Sequence, residues 1–343
     1  MQKKIKAGII GATGLAGEGV LDILIKHPNV EVTVLTSDSS TGKNITDVFP
    51  KYKDIIDIPL VAIDLDTISN QCELIFLTKK DPASMNLVKP LIDNNVKVID
   101  LGGEFRLKDF KEYESWYGHE HLAKDLLSQA SYGLSELNRE EIKTAKLIAN
   151  PGCYPTGSIL GLTPLIKNNL IDLNTITIIS YSGISGAGRA PSNGNTFINC
   201  NENIKAYAVG GSHKHTPEIE QGLSMYSGQE VKVSFTPHLA PMERGIFSSI
   251  SSNAINGVTQ EKLVEALKSA YENEHYVRVF DDPSQIQISN VKNTNFCDLG
   301  VALDSRTNRV LLFTALDNLT KGAASQAIQN MNLMFGFDES TAI

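Results

Sequence analysis

Through its first hundred residues the chain alternates short unbroken apolar runs with longer stretches in which apolar residues recur every three or four positions. That is the pattern of β-α-β units feeding a parallel sheet. Ile5 to Ile10 predicts a first strand. Ala16 to Lys26 carries Val20, Leu21, Ile23 and Leu24 at helical spacing and stops before Pro28, and Val30 to Leu35 predicts a second strand. Glu73 to Thr78 and Val96 to Leu101 predict two more. The pattern breaks at Asn150-Pro151-Gly152, a strong turn signal that places a domain boundary there. Beyond it, Ile159 to Ile166 predicts a helix, and the β-branched segments Thr175–Ser180, Val231–Phe235, Ile246–Ser251 and Val310–Thr314 predict strands. Glu261 to Glu272 predicts a crossing helix. A final amphipathic stretch, Ala323 to Met334, is long enough for a helix that returns to the first domain.

Composition narrows the class. With 343 residues the chain exceeds one typical core, so two domains are expected. At 41% hydrophobic and 20% charged it is neither a disordered chain nor a membrane protein. A formal charge of −8 with no basic stripe argues against a nucleic-acid partner, which needs clustered Lys and Arg. Glu18 and Asp22 interrupt the apolar amino terminus, and no run of 18 apolar residues occurs, so neither export nor a membrane span is expected. Cys72, Cys153, Cys200 and Cys297 are far apart with no CxxC pair, which fits reduced thiols in a cytoplasmic protein rather than disulfides or a zinc site.

Gly11-Ala12-Thr13-Gly14-Leu15-Ala16-Gly17 directly follows the first predicted strand and opens a helix. Glycines there let the backbone approach a pyrophosphate, and the helix start offers unpaired N–H groups and a positive dipole end. Gly11, Thr13, Gly14, Leu15, Ala16 and Gly17 are therefore candidate dinucleotide contacts. The end of strand two discriminates NAD from NADP. It reads Thr36-Ser37-Asp38-Ser39-Ser40-Thr41-Gly42-Lys43, in which Ser37, Ser39 and Lys43 favour a 2′-phosphate and Asp38 opposes it. The residues alone leave that choice open.

Asn150-Pro151-Gly152-Cys153-Tyr154-Pro155-Thr156-Gly157 puts a thiol on a turn just before a helix, where the dipole and N–H donors lower its pKa and can hold an oxyanion. Cys72 and Cys297, each beside an apolar run, read as buried structural cysteines. His213-Lys214-His215-Thr216-Pro217-Glu218 supplies two imidazoles ahead of a helix that Thr216 would cap. No third metal ligand stands at a recognisable spacing, so no metal is expected. A thiolate, a histidine acid/base and a nicotinamide together specify covalent acyl transfer coupled to hydride transfer. Ser182-Gly183-Ile184-Ser185-Gly186-Ala187-Gly188-Arg189, a glycine-rich loop ending in arginine, and Arg106, just after a predicted strand, are candidates for holding an anion.

These stretches together resemble the N-acetyl-γ-glutamyl-phosphate reductase family of the aspartate-semialdehyde dehydrogenase-like group. Ile148 to Pro164 is similar to that family's active-site signature, and Tyr132–Glu140, Ser182–Arg189, His213–Gln221, Pro237–Gly245 and Asp317–Gly336 match further along. The resemblance implies an α/β protein with a Rossmann-type doubly wound parallel sheet, residues 1–149 with 315–343, completed by the carboxy-terminal helix. A second α/β catalytic and dimerisation domain with a mixed sheet, residues 150–314, would lie before that helix. It implies NADP(H), with Asn318 and Gly322 near the cofactor, and a homodimer or homotetramer. It casts Cys153 as nucleophile and His215 as acid/base, with Arg106, Asn150, Ser182, Gly183, Arg189 and His213 around the substrate. The chain departs from the family pattern at Thr78-Lys79-Lys80-Asp81-Pro82, at Gly102-Gly103-Glu104, and at Asp38, where the family is often basic.

The expected reaction is reduction of N-acetyl-γ-glutamyl phosphate through a Cys153 thioester. Another acyl phosphate, aspartyl or aminoadipyl, is the nearest alternative. A nucleotide-sensing protein on a dehydrogenase fold and a thiol hydrolase are the alternatives from other classes.

Overall fold

Leu74 to Leu77 is an unbroken apolar run whose four side chains are all fully buried, as a strand covered on both faces requires. The computed structural model describes residues 3–80, 82–189 and 196–343, so Asp81 lies outside the described residues. The chain divides into two units, residues 1–151 with 323–343 and residues 152–322.

In the first unit the strands are β1 (Ile5–Ile10), β2 (Val30–Thr36), β3 (Leu60–Val61), β4 (Leu74–Leu77), β5 (Lys97–Asp100), β6 (Ala130–Tyr132) and β7 (Leu147–Ala149). All pair in parallel, in the order β3-β2-β1-β4-β5-β7-β6. The chain runs outward from β1 to β3 and then returns to the other side of β1, which makes the end of β1 a topological switch point. Strand residues alternate between two cores. Ile9, Leu74, Phe76 and Ile99 meet the helices Leu15–Leu24 and Ala324–Met334 on one face, while Ile10, Ile75, Leu77 and Val98 meet the helix Met85–Asp93 on the other.

The carboxy-terminal helix is buried along its whole length. Its amide donors find partners inside the unit. Gln326 Nε2 donates to Gly133 O (3.0 Å) and Ser135 Oγ (2.8 Å), and Asn330 Nδ2 donates to Gly133 O (2.8 Å) and Asn150 Oδ1 (3.0 Å). The return into this unit falls at 322/323 rather than 314/315. The strand Arg309–Leu316 runs past that point, and Gly322 N closes the following turn by donating to Asp317 O at 2.9 Å.

The second unit holds β8 (Thr177–Ser182), β9 (Lys205–Ala206), β10 (Ser234–Leu239), β11 (Ile246–Asn253), β12 (Val277–Phe280), β13 (Cys297–Asp304) and β14 (Arg309–Leu316). Their order is β12-β13-β14-β11-β8-β10-β9, with β8/β10 and β12/β13 parallel and the other pairs antiparallel. β13 is long, yet the apolar pattern does not announce it, because Asp298 stands inside it. That carboxylate is fully buried and held by Arg278 at 2.6 and 2.9 Å.

On one face lies the helix Cys153–Lys167, buried from Tyr154 to Ile166. It begins six residues earlier than the apolar pattern predicts. Pro155 is tolerated in the first turn, and Gly157 brings the backbone against β14, where an added Cβ would come 2.9 Å from Thr314 Oγ1. Among the described residues no helix is long and apolar enough to cross a membrane.

Candidate active site

Cys153 is the first residue of its helix. Gly152 precedes it in an extended conformation with no side-chain cap, so the first-turn N–H groups and the positive dipole end are presented where the thiol stands. Cys153 is half-buried, whereas Cys72, Cys200 and Cys297 are buried. Burial pushes the Cys72 thiol up, against the opposing hydrogen bond from Thr33 and the charge of Lys6. Cys72 therefore has the environment of an inert thiol and Cys153 that of a reactive one.

The second helix of the site starts at His215 and runs to Ser227. Thr216 does not cap it: the hydroxyl is buried inside the first turn without a hydrogen bond, and Lys214 is the capping position. His213 takes part of that work, since its Nδ1 accepts the His215 N–H at 3.0 Å. The two imidazoles lie 4.9 Å apart, edge to face. They occupy different places. A Cβ built on Gly152 would come 2.6 Å from His215 Nε2 and 2.9 Å from Glu218 Oε2, so both side chains converge on the residue preceding the thiol. Glu218, one turn along the helix from His215, is buried and its Oε1 accepts the Gly152 N–H at 2.8 Å. His213 instead packs among Tyr154 (5.5 Å), Tyr207 (5.5 Å) and Phe235 (5.4 Å).

Tyr154 and Tyr207 share a 2.8 Å hydrogen bond between their hydroxyls. Burial is the main reason both phenols sit above their ordinary range, Tyr207 at about 12, and the Cys153 charge adds to the rise at each. Both remain neutral donors beside the thiol.

Residues 317–322 form a turn beside Cys153. Asp317 is fully buried and holds the turn shut, its carboxylate accepting from Leu319 N (2.8 Å), Thr320 N (3.2 Å) and Asn293 N (2.8 Å) and pairing with Arg244 at 3.2 Å. Gly322 then lies against Cys153, with 2.7 Å between a built Cβ and Cys153 Cβ. Asn318 ties this turn to the glycine-rich loop, accepting from Gly245 N (2.7 Å) and donating to Ser185 Oγ (3.0 Å).

That loop is not the open anion cradle its composition predicts. The N–H groups of Gly183, Ile184, Ser185, Gly186 and Gly188 already donate to Gly245, Met242, Glu243, Gly183 and Ser185 carbonyls. The Ser182 hydroxyl is buried and donates to Gly183 O at 3.0 Å. Arg189, exposed at the loop's end, is the remaining cationic candidate there.

In the first unit, Gly11 has φ +91°, and a Cβ on Gly17 would meet Gly11 O at 2.4 Å, so the turn closes only with glycine at both positions. Gly14 caps the helix Leu15–Leu24 with no side-chain bond, leaving the N–H groups of Leu15, Ala16 and Gly17 at the dipole's positive end. These features fit a pyrophosphate. The Thr13 and Ser37 hydroxyls, however, are 2.9 Å apart and Ser37 is buried, so Ser37 serves the turn and Ser39 is the exposed hydroxyl. Arg106 and Asn150 also differ from expectation. Arg106 is buried, with Nε donating to Asn150 O (2.8 Å) and Nη2 to Leu101 O (3.3 Å). The Asn150 amide donates to Ala323 O (3.1 Å) and accepts from Asn330 (3.0 Å). Both lock the first unit where the chain leaves and re-enters it.

A parallel doubly wound unit with a phosphate turn, joined to a mixed-sheet unit carrying a cysteine-histidine pair, defines the class of two-domain semialdehyde dehydrogenases. Family patterns agree: "Semialdehyde dehydrogenase, NAD binding domain" matches residues 6–145 and "Semialdehyde dehydrogenase, dimerisation domain" matches 153–318. The fold is also that of aspartate semialdehyde dehydrogenase II from Vibrio cholerae in complex with ASA, with TM-score 0.73, 18% identity and coverage of 98% of this chain and 99% of that one. The aspartate semialdehyde dehydrogenase with NADP from Candida albicans gives TM-score 0.72, 19% identity and coverage of 97% and 99%.

Whole-length relatives narrow the class. N-acetyl-gamma-glutamyl-phosphate reductases of Clostridium novyi and Desulforamulus reducens are 44% and 45% identical, each over 99% of this chain and 98% of theirs. The chain belongs to the N-acetyl-γ-glutamyl-phosphate reductase family. It contains an NAD(P)-binding domain and a dimerisation domain. Glu218, Tyr154 and Tyr207 are members of the site that sequence reasoning did not assign. Glu218 was findable, since it stands three residues from His215 on a helix and so shares its face.

Proposed function

We propose that the chain is a cytoplasmic, NADPH-dependent reductase of arginine biosynthesis that converts N-acetyl-γ-glutamyl phosphate to N-acetylglutamate 5-semialdehyde and phosphate. The observation that carries the reaction type is the placing of Cys153 at an uncapped helix start with His215 and Glu218 converging on Gly152. The substrate rests on the relatives' names and their whole-length identity.

Residues 152–322 carry out the covalent chemistry in this reading. His215 takes the Cys153 proton, and the thiolate attacks the acyl carbon. The carbonyl becomes an oxyanion facing the first-turn N–H groups, the C–O bond to phosphate breaks, and His215 returns its proton to the leaving phosphate. A thioester on Cys153 remains. When bound, NADPH would supply a hydride to the thioester carbon. The tetrahedral oxyanion left there faces the same first-turn N–H groups, and its collapse breaks the C–S bond and releases aldehyde and the Cys153 thiolate. His215, neutral since it protonated the phosphate, takes a proton from solvent and returns it to the thiolate for the next turnover. Glu218 fixes Gly152 and the imidazole, and Asn318 and Gly322 keep the turn beside the thiol in place and would help hold the cofactor. Arg189 and His213 face the substrate's anionic end.

Gly11, Thr13, Gly14, Leu15, Ala16 and Gly17 hold the pyrophosphate, and Ser39 and Lys43 favour the 2′-phosphate. The NADP-bound neighbour of the same fold supports that preference. A homodimer or homotetramer is supported by the matched dimerisation domain and by the sheet face where Phe247 and Phe313 lie half-exposed, 6.1 Å apart.

The deciding assay is phosphate-dependent reduction of NADP⁺ by N-acetylglutamate semialdehyde, run beside aspartate semialdehyde. A kcat/KM favouring the acetylated substrate at least a hundredfold is expected. Equal or reversed rates would refute the substrate, and activity without phosphate would refute the mechanism.

A further inference from the structure

Two departures from the family pattern meet in the fold. Lys79, from the segment after β4, lies 2.7 Å from the carboxylate of Asp38, from the segment after β2. The sheet order explains the meeting, because β2 and β4 flank β1 on its two sides. Both segments are also tied to the glycine turn. Gly11 N and Ala12 N donate to Thr36 Oγ1 (3.3 Å) and Thr36 O (2.9 Å), and Thr78 Oγ1 donates to Ile10 O (2.9 Å) and Gly11 O (3.0 Å).

A dinucleotide with its pyrophosphate on the start of helix Leu15–Leu24 brings its adenine ribose to the end of the second strand. Asp38 stands there with its side chain 68% exposed, and Lys79 is 27% exposed, so the pair faces solvent on the Asp38 side. Alone, Asp38 would accept from a 2′-hydroxyl and repel a 2′-phosphate. With Ser37 buried against Thr13, the hydroxyl best placed to favour phosphate is engaged elsewhere.

We infer that Lys79 is the specificity-determining residue of this nucleotide site: it cancels the Asp38 charge and donates to a ribose 2′-phosphate, so that an acid at the end of β2 coexists with NADPH use. The inference rests on the NADPH reading above but is tested separately from it.

Titration calorimetry on the full chain, with NADP⁺, NAD⁺, adenosine 2′,5′-bisphosphate and 5′-AMP as ligands, reads the ribose site without turnover. Lys79→Gln should raise Kd for the two 2′-phosphorylated ligands by roughly ten- to a hundredfold, the scale of one charge-assisted hydrogen bond. NAD⁺ and AMP should move by less than about threefold on the same scale, which also shows that the variant folds. Asp38→Asn should act in the opposite direction, tightening the 2′-phosphorylated ligands. An unchanged NADP⁺/NAD⁺ ratio in Lys79→Gln, or an equal loss of both, overturns the inference. A wild-type preference for NAD⁺ overturns the NADPH reading instead, and the shift in ratio caused by Lys79→Gln still decides the role of the lysine.

Discussion

Replacing Gly152 by alanine adds one methyl group at the point where the active site is tightest. That methyl would stand 2.6 Å from His215 Nε2, 2.8 Å from His215 Cε1 and 2.9 Å from Glu218 Oε2. Carbon-to-nitrogen contact needs nearly 1 Å more, so the imidazole and carboxylate must move, or the helix Cys153–Lys167 must. The helix is the stiffer element, since it is buried from Tyr154 to Ile166. The imidazole therefore shifts by about 1 Å, enough to cost on the order of 10²-fold in kcat when it carries the proton. Overpacking of this kind also destabilises by roughly 1–3 kcal/mol. NADP⁺ binding should be unchanged, because no residue of the phosphate turn lies in residues 152–322. Steady-state kinetics, NADP⁺ calorimetry and a urea melt on one preparation separate the effects. A Gly152→Ala enzyme with kcat within about threefold of wild type, well short of the 10²-fold expectation, would show that His215 and Glu218 need not stay where they are.

Cys153→Ala should bind NADP⁺ as wild type does yet show no turnover; a thioester trapped on any other cysteine would refute the assignment. His215→Asn should lower kcat by about two to four orders of magnitude and flatten one limb of the pH profile, while His213→Asn mainly raises KM; the reverse pattern would make His213 the acid/base. Burial and the nearby charge of Glu104 push Asp100 up to about 6, with Arg106 and the Gly102 and Gly103 N–H groups opposing. The folded state therefore holds this proton more tightly than the unfolded one, and stability falls as pH rises from about 4 to about 6, by on the order of 3 kcal/mol. Asp100→Asn should remove that slope in urea melts at pH 4 and 7; a wild-type-minus-variant difference that stays constant with pH would refute it.

Contiguous signals were legible in the sequence. The glycine turn and the parallel strands β1, β2, β4 and β5 each depend on residues a few positions apart, and each lies within one residue of where the pattern places it, whereas Cys153 is the first residue of its helix rather than part of the turn before it. Legibility ended at hydrogen-bond partners. Arg106, Asn150, Ser37 and the loop from Ser182 to Gly188 all display donors that suit an anion, and the fold has already engaged those donors with backbone or with one another. Composition shows which groups a segment owns. It does not show which of them are left over, because that depends on segments more than a hundred residues away, such as Asn330 against Asn150. β13 escaped for a related reason, its buried Asp298 being acceptable only because Arg278 arrives from β12.

Cys153, the proposed nucleophile, is placed largely by atoms that are absent. Gly152 leaves room for His215 and Glu218, and Gly322 lets the backbone of residues 317–322 lie against Cys153, where a built Cβ would come 2.7 Å from Cys153 Cβ. The two glycines are 170 residues apart, and nothing in either local sequence marks them as a pair. Their common effect is to leave Cys153 half-buried beside His215 and beside a turn that Asp317 holds shut. Such a position would suit a nucleophile that must stay in one place through two tetrahedral stages, because it removes side-chain freedom. It follows that substitution at Gly322 should resemble substitution at Gly152 in kcat but differ in pH dependence, since only Gly152 touches the imidazole. Gly322→Ala with an altered acid limb would show that this turn, too, acts through His215.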